Sequence, residues 1–315
     1  MFELLLALPK RSPKLTFNYD LVSLTPRPTA ASHSTACEYA GKIYVAGGLN
    51  TSTRSINNFD IYDIENDAWT VGAVMPGQRR SGVMAAEGNR VIYVGGYNQG
   101  GNPVGPFATI YTYNTTNNTW GTSNTSDVAR FEGTGIQLAD GEVIDYSGWS
   151  GTTMLSNASR IDVNPTGGVS TTPLPSIPAA YRTRYAGSCR NGNDVYIGGG
   201  LDSTGSPVDT FFYYNPVTNT FKALAPLPVK LNAVQLMWHN NEVIAYLVNS
   251  GIWAYNPGSN EWRPVNETPS GNVHGLSTGV QVNNELYLIG GFDTARHGYL
   301  SKIVPTLVAI DDVPV

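Results

Sequence analysis

Short apolar runs alternate with polar, glycine-rich turns along nearly the whole chain. In GKIYVAGGLN (41–50), Ile43, Tyr44 and Val45 predict a strand, and two glycines follow where glycine would normally weaken one. The pattern returns as VIYVGGYN (91–98), VYIGGGLD (195–202) and LYLIGGFD (286–293), with weaker copies VIDYSGWS (143–150) and VIAYLVNS (243–250). The second glycine or its replacement stands at 48, 96, 148, 200, 249 and 291, so the chain contains six repeats.

Each repeat continues with a polar loop, a strand, a tight turn and usually an aromatic residue. Examples are FDIYDIENDAW (59–69), IYTYNTTNNTW (110–120), FYYNPVTNTF (212–221) and IWAYNPGSNEW (252–262). Four short strands per repeat are the unit of a β-propeller blade. These motifs resemble the Kelch repeat family from about residue 15 to 312, although the third repeat has Ser147 and Val169, and the fifth Val248 and Asn249, at motif positions. The resemblance implies an all-β fold, a single six-bladed β-propeller of four-stranded blades.

The two ends of the chain complement each other. The sixth repeat ends near TLVAIDD (306–312) with three strands, whereas KLTFNYDLVSLTPRP (14–28) provides an extra strand with Phe17 in the place of Trp69. We therefore predict that the N-terminal strand completes the last blade and leaves no frayed edge. The propeller would span 14–315, and residues 1–13 would be a tail that packs on it or docks a partner.

The double glycines are predicted to allow positive φ and close backbone approach between blades, since no phosphate-binding loop accompanies them. The late aromatics are predicted to be apolar anchors between blades, namely Trp69, Trp120, Phe221 and Trp262. Cys37 and Cys189 each precede a second glycine by 11 residues, which places them in opposite blades. We therefore expect two free thiols.

Composition narrows the possible partners and compartment. The 34 glycines, 20 prolines and only 14% charged residues are typical of a turn-rich β protein, and the net charge of −5 does not favour nucleic acid. No run approaches the ~20 apolar residues of a membrane span, and the first residues do not read as a signal peptide. Unpaired thiols favour a cytoplasmic location, whereas six Asn-x-Ser/Thr sequons leave an extracellular one open.

The longest loops lie between the second and third strands of each repeat, and in a propeller they share a face with the connections between blades. Binding residues usually lie on such loops. The connections carry seven of the 19 Lys and Arg, and the candidate binding residues are Arg27, His33, Arg79, Arg80, Arg130, Arg182, Arg184, Lys230 and His274. We predict a scaffold that presents a basic-rimmed channel mouth to an acidic protein segment, an acidic sugar or a phosphorylated partner. The alternative is that these arginines only pair with a neighbouring blade.

An enzyme is the second interpretation. His33, His274, Asp293 and His297 fall on the same face and could bind zinc or iron, and the Asp-x-x-x-His spacing is similar to that of plant nitrile-specifier proteins, although their additional Glu is Ile289 here. The size is also similar to that of a bacterial sialic acid mutarotase, without a shared motif. Galactose oxidase, which contains Kelch blades, needs a copper site that this chain does not match. We expect a binding module without a cofactor, with a mutarotase-like or metal-dependent enzyme as the alternative.

Overall fold

A computed structural model describes residues 14–138, 142–164, 168–266 and 275–310. Within these ranges the chain forms six four-stranded antiparallel sheets, which are the blades of the predicted propeller, and strands a to d run from the central channel outwards in each blade. The strand that opens the chain is β1 (Lys14–Leu24). Blade 1 contains β2 (Thr35–Tyr39), β3 (Lys42–Ala46), β4 (Phe59–Asp63) and β5 (Ala68–Val71).

Blade 2 contains β6 (Val83–Glu87), β7 (Arg90–Val94), β10 (Thr109–Asn114) and β11 (Thr119–Thr125), with a small hairpin of β8 (Tyr97–Asn98) and β9 (Gly105–Pro106) in its b–c loop. Blade 3 contains β12 (Thr134–Gln137), β13 (Val143–Tyr146), β14 (Ala158–Val163) and β15 (Val169–Pro173). A 3-10 turn (Ala179–Tyr181) leads to blade 4, with β16 (Gly187–Asn191), β17 (Asp194–Gly198), β18 (Phe211–Asn215) and β19 (Thr220–Ala223). Blade 5 contains β20 (Gln235–His239), β21 (Glu242–Leu247), β22 (Gly251–Asn256) and β23 (Glu261–Asn266).

Blade 6 closes the ring as predicted. It contains β24 (Thr278–Val282), β25 (Glu285–Ile289) and β26 (Leu300–Ile310), and its outermost strand is β1 from the other end of the chain. The two terminal strands pair in an unbroken antiparallel register from Lys14↔Ile310 to Leu24↔Leu300. Tyr19 on β1 is buried against blade 5, where its hydroxyl bonds to His239 Nδ1 at 2.9 Å. The predicted closure is confirmed.

The double glycines bring one blade close to the connection that leads into the next. Gly47 and Gly48 have φ values of 60° and 116°, and a Cβ added to Gly48 would lie 2.8 Å from the Ser32 carbonyl oxygen. The Gly48 N–H donates to the carbonyl of Arg79, in the following connection, at 2.9 Å. The same bond recurs from Gly96, Gly148, Gly200 and Gly291. The shaping role predicted for the glycines is therefore confirmed.

The late aromatics anchor neighbouring blades. Trp120 in blade 2 meets Phe59 of blade 1 edge-on at 4.9 Å, and its indole N–H donates to the Ala73 carbonyl at 2.8 Å. Trp262 repeats both contacts three blades further round, where it meets Phe211 of blade 4 at 5.0 Å. An aromatic side chain packed in this way, with its one polar atom bonded, stabilises an interface without leaving an unpaired donor. The predicted anchoring role is confirmed for these residues.

The loops separate onto two faces. The b–c loops and the d–a connections share one face, which we call the loop face, and the short a–b and c–d turns occupy the opposite face. On the loop face, bridges such as Ser32↔Leu49 and Arg184↔Leu201 pair the connection entering a blade with that blade's own b–c loop. In the described ranges, no helix has the length and apolar character that crossing a membrane requires.

Candidate functional site

A ring of six backbone positions defines the channel mouth on the loop face. One residue in each connection has a φ between 53° and 60°, and these residues are His33, Ser81, Glu132, Tyr185, Ala233 and Leu276. Their peptide groups bond from blade to blade: the N–H of Ser81 donates to the carbonyl of His33 at 2.9 Å, and the N–H of Glu132 donates to that of Ser81 at 2.8 Å. We call these six residues the mouth ring. Its bonds hold one side chain of every blade at the entrance to the channel.

The channel below the mouth ring is a cavity of about 680 Å³ lined by the six a strands. Cys37 and Cys189 lie on β2 and β16, and both are buried free thiols, as predicted. Their side chains belong to the apolar cores between blades, and burial raises the pKa of each thiol. The cytoplasmic location that free thiols favour remains a prediction.

Three of the predicted basic residues lie inside the fold. Arg27 forms a buried ion pair with Asp60 at 2.6 Å. Arg130 is 1% exposed, and its Nε lies 3.2 Å from Asp145 Oδ2, in the core of blade 3. Arg79 stacks on the Phe107 ring at 3.5 Å. For these three arginines the structure supports the alternative interpretation, in which the side chain joins neighbouring blades or strands.

Burial changes the pKa of a carboxyl group in blade 3. Desolvation raises the pKa of the Asp145 carboxyl to about 6, although the Arg130 guanidinium opposes the shift. Arg130 also donates to the Ser159 hydroxyl at 2.8 Å and approaches Asp127 at 3.6 Å. The two carboxylates of this cluster, Asp145 and Asp127, therefore depend on a single arginine to neutralise their charge.

Two other predicted arginines do reach the mouth, where they share a carboxylate. Arg184 Nη1 donates to Glu132 Oε2 at 2.8 Å, and Arg80 Nη1 approaches Glu132 Oε1 at 3.5 Å. The side chains of Arg80, Arg184 and Glu132 are 11%, 16% and 6% exposed. Arg80 also donates to the Tyr185 hydroxyl at 2.9 Å. We call Arg80, Glu132 and Arg184 the mouth triad.

Aromatic rings cover the faces of both arginines of the triad. The Arg80 guanidinium lies 5.1 Å from the Tyr97 ring and 5.3 Å from the Phe131 ring, and that of Arg184 lies 4.5 Å from the Trp149 ring. Stacking fixes the planes of the guanidinium groups and directs their remaining N–H donors edgewise. An anion can therefore approach these arginines in their plane.

His33 completes the polar side of the mouth. Its ring lies 5.5 Å from the Tyr185 ring, and its Nδ1 lies 2.8 Å from the Ser32 hydroxyl, which also accepts a bond from Arg296 at 3.1 Å. Burial, and then the charges of Arg80 and Arg296, lower the pKa of His33 to about 3. The imidazole is therefore neutral at physiological pH.

The remaining predicted residues do not join the triad. Arg182 donates from Nε to the Ile177 carbonyl at 2.9 Å, Lys230 is exposed, and His274 lies outside the described residues. His297 bonds to Asp293 at 2.7 Å within the b–c loop of blade 6, and this contact lowers the pKa of the Asp293 carboxyl. No group of three or more His, Cys, Asp or Glu that could hold a metal occurs in the described part of the chain. Because His274 belongs to the predicted zinc or iron set, that set remains a prediction.

Sequence reasoning missed the acidic and aromatic half of the mouth. The predicted residues were the basic side chains of the connections and a possible set of metal ligands, so they did not include Glu132, Tyr185, Tyr97, Phe131 or Trp149. A signal was present: Glu132 and Tyr185 stand 16 and 15 residues before the second-glycine positions 148 and 200. Alignment of the six connections on these glycines would have grouped the mouth ring.

Comparison with known proteins agrees with the geometry. The family model described as "Kelch motif" matches residues 30–76 and 182–228, which contain blades 1 and 4. The chain is 27% identical to Kelch-like protein 35 of Mus musculus over 255 residues, which is 78% of this chain and only 40% of that protein's length. The solved structure titled "Structure of YjhT" superposes with a TM-score of 0.71 over 92% of this chain and 97% of that chain, at 16% identity, a likeness of fold alone. The chain is therefore a six-bladed β-propeller that is closed by its N-terminal strand and carries Kelch motifs in two of its blades.

Proposed function

We propose that this propeller is a protein-interaction module whose mouth binds a carboxylate-bearing, acidic segment of a partner protein. Kelch propellers commonly serve as interaction scaffolds, and most of this chain is similar to a Kelch-like protein. The observation that carries the proposal is that Arg80 and Arg184 each keep an unused hydrogen-bond donor. Among the described residues, neither Nη2 atom has a hydrogen-bond partner, so both arginines retain donors for an anion.

The charge of the mouth supports an anionic partner. Arg80 and Arg184 carry two positive charges and Glu132 carries one negative charge, so the triad is net positive by one. His33 adds no charge because its pKa is lowered to about 3, and Arg296 adds a further cation beside it. A concave site with one prevailing sign of charge raises the local concentration of oppositely charged groups.

The rigidity of the mouth supports recognition of a short protruding segment. Backbone bonds hold the mouth ring from blade to blade, and aromatic stacking holds the two guanidinium groups. Little conformational entropy is then lost when an Asp or Glu side chain enters the mouth, because the protein groups are already ordered. A planar guanidinium group matches the two oxygens of a carboxylate better than the compact ammonium group of a lysine would.

Native capture with matched variants tests this function. Three baits are compared: wild type, Arg80→Gln with Arg184→Gln, and a control with Lys222→Gln and Arg263→Gln, two exposed residues on the outermost strands of blades 4 and 5. All three must have the same circular dichroism and melting temperature. We expect one stoichiometric protein with wild type and the control, its capture lost in the mouth variant and weakened by salt. Equal capture by all three baits would show that the partner does not bind through the arginines of the mouth.

A small-molecule reaction at the same mouth is the second candidate. The cavity of about 680 Å³ lies in the size range of small-molecule sites, and a neutral imidazole, a phenol and a carboxylate meet above it in His33, Tyr185 and Glu132. An acidic sugar is the substrate class that the mutarotase-like alternative implies. Anomer interconversion of N-acetylneuraminic acid, followed by NMR with and without the protein, tests it. Acceleration that disappears in His33→Ala would support this candidate, and an unchanged rate would refute it.

A further inference from the structure

Glu132 is an unusual residue to find beside the two arginines of an anion site. Its φ of 60° lies in a region that residues other than glycine seldom adopt. Its N–H donates to the Ser81 carbonyl and its carbonyl accepts from the Tyr185 N–H, both at 2.8 Å. Because the backbone is bonded on both sides, the carboxylate cannot leave the mouth by a shift of its own connection. Since Arg184 and Arg80 also contact its carboxylate, an anionic ligand at these arginines binds next to a negative charge.

The carboxylate of Glu132 leaves part of each arginine available. Of the two guanidinium groups it contacts only the Nη1 atoms, one oxygen to Arg184 and the other to Arg80, and forms no two-point pair with either. The Nη2 donors can therefore bind a ligand while Glu132 stays in place. The site thus combines two cations with a permanent anion, rather than being a purely cationic pocket.

This arrangement treats singly and doubly charged ligands differently. The attraction between a ligand and the triad grows in proportion to the ligand's charge, and the triad's net charge is only one positive unit. The cost of removing an ion from water grows with the square of its charge, so a dianion costs about four times as much to desolvate as a monoanion of equal size. With Glu132 in place the net charge of the triad is one positive unit instead of two, so less attraction is available to offset the higher cost of a dianion.

We propose that Glu132 is the specificity-determining residue of the mouth, selecting a singly charged carboxylate and excluding a phosphoryl dianion. The inference rests on the proposed binding of an acidic partner segment and narrows its chemistry to Asp or Glu side chains or a chain terminus. Phosphoserine, with a second pKa of about 6, is largely dianionic at neutral pH and is the ligand that Glu132 rejects. A repulsive element of this kind is a common source of specificity.

The test uses two fluorescein-labelled peptides of eight Gly and Ser residues, identical except for two glutamates in one and two phosphoserines in the other. Anisotropy titrations at pH 7.5 and constant ionic strength compare wild type, Glu132→Gln and the control Glu65→Gln, an exposed glutamate in a c–d turn. Wild type and the control should bind the glutamate peptide about tenfold more tightly than the phosphoserine peptide. In Glu132→Gln the affinity for the phosphoserine peptide should rise by about tenfold and the preference should disappear.

A second measurement needs only the wild-type protein. At pH 5.0 phosphoserine becomes mostly a monoanion, whereas His33 stays neutral, so the preference for glutamate should shrink by at least about threefold. A preference that persists at pH 5.0, or that survives in a folded Glu132→Gln, would overturn the role of Glu132 and leave the proposed function standing. Tighter wild-type binding of the phosphoserine peptide would also overturn it. If neither peptide binds any of the proteins, the proposed function fails together with this inference.

Discussion

Arg79 and Arg80 are neighbours in one connection, yet their side chains serve different parts of the molecule. Arg79 is 5% exposed, stacks on Phe107 and donates to the Tyr111 hydroxyl at 2.9 Å. Arg80 turns the other way, into the mouth, and contacts Glu132. The two differ by a single position relative to Ser81, the mouth-ring residue that follows them.

Arginines in the connections into blades 3 and 4 follow the same rule. Arg130 stands two residues before its mouth-ring residue and is buried like Arg79, whereas Arg184 stands one residue before and reaches the mouth like Arg80. The residue two positions before a mouth-ring residue accepts, through its carbonyl, a hydrogen bond from the glycine N–H of the preceding blade. This bond places that residue between the two blades. Position relative to the ring, rather than residue type, decides whether an arginine is structural or available to a ligand.

The largest effect is expected from Arg130→Ala. This change leaves Asp145 and Asp127 without the cation between them, and unpairing a buried charge costs about 3–5 kcal/mol. Urea denaturation should detect the loss, with Arg263→Ala, in a more exposed ion pair with Glu242, as the control. A variant within about 1 kcal/mol of wild type would contradict the distinction between the two arginine positions.

The next effect is a pH dependence from the same cluster. Because the pKa of Asp145 is raised from 3.8 to about 6, the folded state binds an extra proton between these values. The contribution of Asp145 to the free energy of unfolding should therefore decrease as pH rises from 4 to 7, by on the order of 2–3 kcal/mol. Denaturation midpoints of wild type and Asp145→Asn, measured across this range, should differ in slope. Parallel pH curves for the two proteins would be inconsistent with a buried, titrating Asp145.

Arg79→Ala should cost less, about 2 kcal/mol, because no buried carboxylate loses its partner and the loss is the stacking on Phe107 and one hydrogen bond. Thermal denaturation of Arg79→Ala and Arg80→Ala under the same conditions is the measurement. Greater destabilisation by Arg80→Ala than by Arg79→Ala would reverse the proposed assignment of the two neighbours.

The smallest effect on stability is expected from Arg184→Gln. Glutamine can still donate a hydrogen bond to the buried Glu132, and Arg80 remains beside that carboxylate, so the free energy of unfolding should change by only about 1 kcal/mol. Binding of the two-glutamate peptide should nevertheless weaken by about tenfold, since one of the two anion donors is lost. Stability and binding would then separate cleanly at this residue. Unchanged affinity would exclude Arg184 from the binding surface.

Local patterns in the sequence were sufficient for the scaffold. Apolar runs ending in paired glycines marked four blades and weaker copies marked the other two, and the unmatched strand around Phe17 predicted how the ring closes. Gly48 and Trp120 could be assigned their roles because the turn geometry and the interblade anchor recur in most of the repeats. Repetition converts weak local signals into a reliable prediction, since each blade must meet the next in the same way.

The mouth depended on contacts that no local pattern contains. Arg80 meets Glu132 from the next blade and Tyr185 from the blade after that, residues 52 and 105 positions further along the chain. The sequence by itself determined the six blades and their closure. Only the tertiary structure decided that Arg130 is buried and that Glu132 lies between Arg80 and Arg184. The reason is that the group that neutralises each charge comes from another strand or blade, and only the closed ring brings the two groups together.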